Sequence, residues 1–305
     1  LPFPPAHLAA SIALPMPSTP PLLPSAIINQ QVQAALAEDQ AANDVTVAAV
    51  IDPQLAITLQ LCAREAVVVA GLALAEASFR TLSPQIDWQQ AAEDGEQVAV
   101  GALLATVSGL ASALLSAERT ALNFVQHLSG IATLTRRYVE AVAGTKAIIL
   151  DTRKTIPGMR QLAKYATAVG GAQNHRLNLA DGMMIKDNHI AANGGGLEGT
   201  LAKLTMVRGS ALWQSLVVEC DTLDQVQLCL SHRIPHLLLD NMSPQQLAQA
   251  VALRDGAGYP AKLEASGGVN LDTIRAIAAS GVDYISVGRL TMSAPAVDIG
   301  LDWPT

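Results

Sequence analysis

The chain has 305 residues, half of them hydrophobic, and a formal net charge of -7 with only 19 Lys and Arg. A chain of this size buries one large core or two smaller ones. The acidic balance excludes a general nucleic-acid or membrane-surface binder, which needs a broad basic face.

Residues 1–24 hold eight of the 16 prolines and no acid or base besides His7, so they read as a Pro-rich disordered tail. They lack the positively charged start of an export signal, and no apolar run reaches the roughly 18 residues of a membrane span. Helical spacing begins at Ser25 with "SAIINQQVQAALAEDQ". Between Val45 and Ser108, "VTVAAVI", "LAITLQL", "AVVVAGLAL" and "QVAVGALLATVSG" read as strands and Ala73–Arg80 as a helix, which gives an α+β domain with an antiparallel sheet. Leu114 to Val142 is helix-prone, with Gly130 as a point of division. Cys62, Cys220 and Cys229 form no CxxC pattern, so a disulfide framework and a zinc knuckle are both unexpected and a cytoplasmic setting fits.

From residue 147 onward, "AIILD", "MMIK", "LVVEC", "HLLLD", "KLEAS" and "DYISVG" recur with helical segments after them, several opening on a Ser, Thr, Asn or Asp cap. Repeated βα units of this kind predict a parallel sheet closing towards an (α/β) barrel. Polar residues end the strands: Asp151 with Arg153 and Lys154, Lys186 with Asp187, Glu219 with Asp221, Asp240 with Asn241, Glu264 with Ser266, and Gly288 with Arg289. In a parallel barrel they would converge at one mouth.

Six cations, Arg153, Lys154, Arg160, Lys164, Arg176 and Lys186, fall between residues 150 and 189 beside only three acids. Such a cluster suits a polyanionic substrate, with Arg forks for carboxylate or phosphate oxygens. The loops "EASGGVN" and "SVGRLT" follow the last two strands, where barrels build phosphate sites from backbone N–H groups. Glu219 and Asp240 then suit ribose hydroxyls or a magnesium ion. Plainer readings fit other residues. Asp221 and Asp272 cap helices, His127 belongs to a core or interface, Arg136 and Arg137 form a solvated or interface face, and Arg160 and Lys164 either extend the positive field or, at i, i+4 on an outer helix, are plain surface. Pro235 prevents His232 and His236 from forming a helical metal pair.

The blocks "ERTALNFVQHLSGIAT", "LDTRKTIPGMRQLAKYA", "GGAQNHRLNLADGMMIKDNHI", "LLLDNM" and "LEASGGV" resemble quinolinate phosphoribosyltransferases, from about residue 30 to the end. The resemblance implies an N-terminal α/β sandwich domain (25–121, with 292–305 packing back on it) and an open (α/β) barrel of parallel strands (122–291). It implies transfer of phosphoribose from 5-phosphoribosyl 1-pyrophosphate to quinolinate with Mg2+, giving nicotinate mononucleotide, pyrophosphate and CO2 in a homodimer with shared sites. By motif, Arg119 would enter from the neighbour and, with Arg153, His175 and Arg176, hold the quinolinate carboxylates. Lys154 and Lys186 would meet the pyrophosphate and the reacting carboxylate, and Glu219 and Asp240 the ribose and Mg2+. Thr152, Ser266, Gly267, Gly268, Val287, Gly288 and Arg289 would complete the substrate contacts.

The pattern departs from the family's at Ala172, Ala163, Met292 and Pro295, where Gly, Glu, His and Arg are usual. Two other readings use the same residues. A Schiff-base lyase would employ Lys186 as nucleophile and be trapped by borohydride. A related non-quinolinate transferase or binding-only paralogue would bind phosphoribosyl pyrophosphate without releasing CO2.

Overall fold

The computed structural model describes residues 22–304. The proposed Pro-rich tail therefore falls largely on residues 1–21, outside the described range. The chain divides into two compact units, one of residues 22–136, Ile156–Gly171 and 293–304, the other of Arg137–Thr155 and Ala172–Met292.

The first unit opens with the helix Ser25–Glu38, as the spacing predicts. "VTVAAVI" is not a strand: Asp44 accepts N–H bonds from Thr46 and Val47, both at 2.9 Å, and caps the helix Val45–Val50. A good N-cap outweighs the β preference of branched residues when the segment has no sheet edge to join. The strands that follow are β1 (Ala56–Ala63), β2 (Val67–Val68), β3 (Asp87–Gln90), β4 (Gln97–Val98) and β5 (Leu103–Leu110), with the helix Leu72–Leu82 between β2 and β3. Ile57, Leu59, Leu61 and Ala63 alternate into the core along β1, the period expected of a half-buried strand. The C-terminal strand Ile299–Asp302, β1, β5 and β3 form one antiparallel sheet in that order, and β2 pairs with β4.

The helix Ala111–Ala141 is continuous, and Gly130 does not divide it. That glycine is there for close approach: a Cβ would fall 2.0 Å from the Pro295 carbonyl oxygen. The helix Arg160–Val169 also belongs to this unit and buries Leu162, Ala163, Ala166 and Val169 in the same core as Leu114, Val125 and Leu128. Lys164 is only 4% exposed, so the outer-surface reading of that residue fails. Tyr165 donates its hydroxyl to Asp94, whose carboxylate also takes the Gly71 and Leu72 N–H groups at the start of a helix.

The second unit carries β6 (Ile148–Leu150), β7 (Met184–Ile185), β8 (Val217–Cys220), β9 (His236–Asp240), β10 (Lys262–Ser266) and β11 (Tyr284–Ser286). All neighbours pair in parallel, in the order β6-β11-β10-β9-β8-β7. The first strand thus joins the last, the cyclic order of an open (α/β) barrel; on its other edge Leu150 bridges Gln173. Capping boxes at Thr222/Gln225 and Ser243/Gln246 start the helices Leu223–Ser231 and Pro244–Gly256. They satisfy N–H groups that would otherwise lack partners at a helix start.

Candidate active site

Register decides which strand residues share a face. Glu219, Leu238, Glu264 and Tyr284 lie abreast on β8, β9, β10 and β11, and two residues further along Asp240 lies beside Ser266. Because strand side chains alternate, the carboxylates of Glu219, Asp240 and Glu264 occupy the same face of the sheet.

The loop after β6 supplies Thr152, Arg153 and Lys154. Thr152 Oγ1 accepts the Lys154 N–H at 3.0 Å, and Thr291 donates its hydroxyl to the Lys154 carbonyl at 2.6 Å. A Cβ on Gly288 would lie 3.0 Å from Lys154 Cδ, so the glycine leaves room for the lysine stem. Val287 is buried and donates its N–H to the Leu150 carbonyl at 3.0 Å, while Arg289 is exposed at the start of the next short helix. Buried Asp151 accepts from Asn174 Nδ2 at 2.7 Å and from the His175 N–H at 2.8 Å, tying this loop to the Asn-His-Arg segment. Arg176 donates to the Gly182 carbonyl at 2.7 Å. Burial depresses the Arg176 pKa and the Arg153 charge nearby adds to this, which marks a concentrated positive field.

Lys186 follows β7 at the start of the next helix and pairs with the buried Glu219, whose other oxygen accepts the Asp187 N–H at 3.4 Å. Burial raises the Asp240 pKa and the Glu219 charge raises it further, while Lys186 and Lys154 oppose the shift. Such a pair of carboxylates would offer oxygens to a magnesium ion. Among the described residues no group of three or more His, Cys, Asp or Glu could hold a metal, so the remaining positions would fall to substrate and water oxygens, as magnesium commonly has it.

The β10 loop is shaped by backbone. Gly267 has φ +88°, and a Cβ there would meet Asn241 Oδ1 at 2.2 Å; Asn241 itself is left-handed at φ 53° and donates its N–H to the Ser266 carbonyl at 2.9 Å. Gly268, at φ +59°, has nothing within 4 Å of an added Cβ, so a ligand can approach its backbone.

Every predicted site residue except Arg119 belongs to this second unit. Arg119 is exposed on the helix Ala111–Ala141 in the first unit, where it lines a cavity of about 410 Å³ with Glu38, Asn123, His127 and Met159. His127 therefore borders a cavity rather than lying in the core, and burial lowers its pKa. Arg136 is not simply solvated, since its Nε donates to the Gly170 carbonyl at 3.1 Å.

Sequence reasoning missed a polar layer beneath the site. His236 and His175 are both buried, with Nε2 atoms 2.9 Å and 3.5 Å from Glu264 Oε2, and the His236 ring lies 5.4 Å from that of Tyr284. Strand parity between "HLLLD" and "KLEAS" was the signal available for pairing His236 with Glu264.

Comparison with known proteins gives one answer along most of the chain. Residues 44–129 match the domain family described as quinolinate phosphoribosyl transferase, N-terminal domain, and residues 131–302 match its C-terminal domain. A Mycobacterium leprae protein named nicotinate-nucleotide pyrophosphorylase [carboxylating] is 43% identical over 263 residues, covering 85% of this chain and 90% of the relative. A Nicotiana tabacum protein named quinolinate phosphoribosyltransferase [decarboxylating] 1b is 37% identical over 298 residues, covering 92% and 84%. The crystal structure of nicotinate-nucleotide pyrophosphorylase from Ehrlichia chaffeensis superposes with a TM-score of 0.83 at 38% identity, covering 90% of this chain and 97% of that one.

Proposed function

The chain belongs to the quinolinate phosphoribosyltransferase family, and from that premise we propose how its residues carry out the reaction. It is a pentosyltransferase of NAD biosynthesis that joins quinolinate to 5-phosphoribosyl 1-pyrophosphate, releasing pyrophosphate and CO2 and leaving nicotinate mononucleotide. The observation that carries the reading is the gathering of cations and acids in the second unit: Lys186 pairs with Glu219, Lys154 and Lys186 act on Asp240, and Arg153 lies close to Arg176.

Arg153 and Arg176 take the two quinolinate carboxylates, with His175 beside them and Arg119 supplied by a second copy in a homodimer. Lys154 and Lys186 face the pyrophosphate and the reacting carboxylate. Glu219 and Asp240 face the ribose hydroxyls and would hold Mg2+, which would offset charge on the departing pyrophosphate. Thr152, Ser266, Gly267, Gly268, Val287, Gly288 and Arg289 surround the phosphates, largely through backbone. As pyrophosphate leaves, C1 of the ribose gains oxocarbenium character and the pyridine nitrogen attacks it. The nitrogen becomes cationic and stabilises the electron pair left on the ring when the adjacent carboxylate departs as CO2. No nucleophilic side chain is needed; the residues contribute orientation and preorganised charge. The free thiols among the described residues support a reducing, cytoplasmic setting.

Substrate choice tests the reading. Incubated with phosphoribosyl pyrophosphate and Mg2+, the protein should make nicotinate mononucleotide from quinolinate and not from nicotinate, and chelation of the metal should abolish it. Product from nicotinate alone would overturn the assignment.

A further inference from the structure

Glu264 lies at the centre of the parallel sheet, flanked by β9 and β11, and is fully buried. A carboxylate in such a place is expensive without partners, and it faces two imidazoles. At neither imidazole does the Nε2 side point straight at a Glu264 oxygen, so proximity and burial carry both attractions more than an in-line bond. His175 has the more consequential position. Its Nδ1 accepts the Arg176 backbone N–H at 2.7 Å, its backbone N–H donates to Asp151 at 2.8 Å, and its Nε2 faces Glu264 at 3.5 Å. A neutral imidazole that accepts at Nδ1 carries its proton on Nε2, the side on which the carboxylate stabilises it.

We propose that Glu264 is a positioning residue for the dicarboxylate end of the site: it holds His175 in the Nε2–H tautomer, which leaves Nδ1 to accept the Arg176 N–H and so fixes where the Arg176 side chain begins. This rests on the substrate reading above. Carboxylates that orient a histidine through its far nitrogen are a common device around metal-ligating histidines; here the group positioned is an arginine. Removal of the charge should loosen recognition of quinolinate and leave that of the phosphoribosyl donor intact.

The first test needs no variant. Nitrogen-15 NMR of the His175 ring in the wild-type protein should show a protonated Nε2 and an unprotonated Nδ1; the opposite tautomer would overturn the proposal. In Glu264→Gln and Glu264→Met, the His175 signature should shift towards a mixture. The KM for quinolinate should rise about tenfold while that for phosphoribosyl pyrophosphate stays within about twofold. An unchanged tautomer, or equal changes in both KM values, would reduce Glu264 to a packing role. If wild-type protein shows the predicted tautomer yet does not turn over quinolinate, the substrate reading fails and the positioning of Arg176 stands.

Discussion

Lys186 and Glu219 are bound to each other across adjacent strands, so removing either leaves the other's charge unpaired near Asp240. Lys186→Ala is expected to lower kcat/KM by about 10²–10³-fold, the scale of losing one preorganised electrostatic donor; steady-state rates check it. Glu264 gives a stability prediction. Burial pushes its pKa up, but His175 and His236 outweigh burial and hold it well below the ordinary 4.5. Below that value the unfolded chain binds the proton first, so stability falls with falling pH until the folded carboxyl also titrates. The wild-type melting temperature should therefore drop more steeply below about pH 4.5 than that of Glu264→Gln. Cys220 and Cys229 sit 3.7 Å apart and buried; their mutual contact and then burial raise the Cys220 pKa far above its usual range. Alkylation of native protein should reach Cys62 alone, the other two reacting only on unfolding; rapid labelling of Cys220 would contradict this.

At the scale of elements, the alternating pattern of "LAITLQL" and the capped βα repeats of the second half were legible because period and cap are local signals. "VTVAAVI" was not, because its helix depends on the Asp44 cap and on the absence of a strand partner. The helix after β6 was legible as a helix, but its place in the first unit depends on the core it enters, which no local pattern records. Gly130 looks like a break in the sequence pattern and is a close contact instead. Alanine in a helix interior ordinarily gains about 1 kcal/mol over glycine. At Gly130 the Pro295 carbonyl reverses the sign, and Gly130→Ala should destabilise by about 1–3 kcal/mol, measured by chemical denaturation.

For the whole molecule, the strand-end residues were legible because a parallel sheet gathers them whatever their distance in sequence, and the cation cluster was visible in composition alone. The Glu264 layer was not, since pairing it with two histidines requires the register of β9 and β10 and the path of the Asn-His-Arg segment. Arg119 belongs to the other unit, and a shared site makes a prediction for it. Arg119→Ala and Lys186→Ala should each be nearly inactive, and subunits allowed to exchange should recover up to about a quarter of wild-type activity, because half the random dimers carry one intact site. No recovery from exchanging subunits would count against sharing.

The most direct measurement is release of labelled CO2 from carboxyl-labelled quinolinate, followed together with pyrophosphate. One CO2 per pyrophosphate, dependent on phosphoribosyl pyrophosphate and Mg2+, is the predicted result. Tight binding of both substrates with no CO2 would contradict it and mark the pocket as repurposed, with Ala172 and Met292 the first positions to revert.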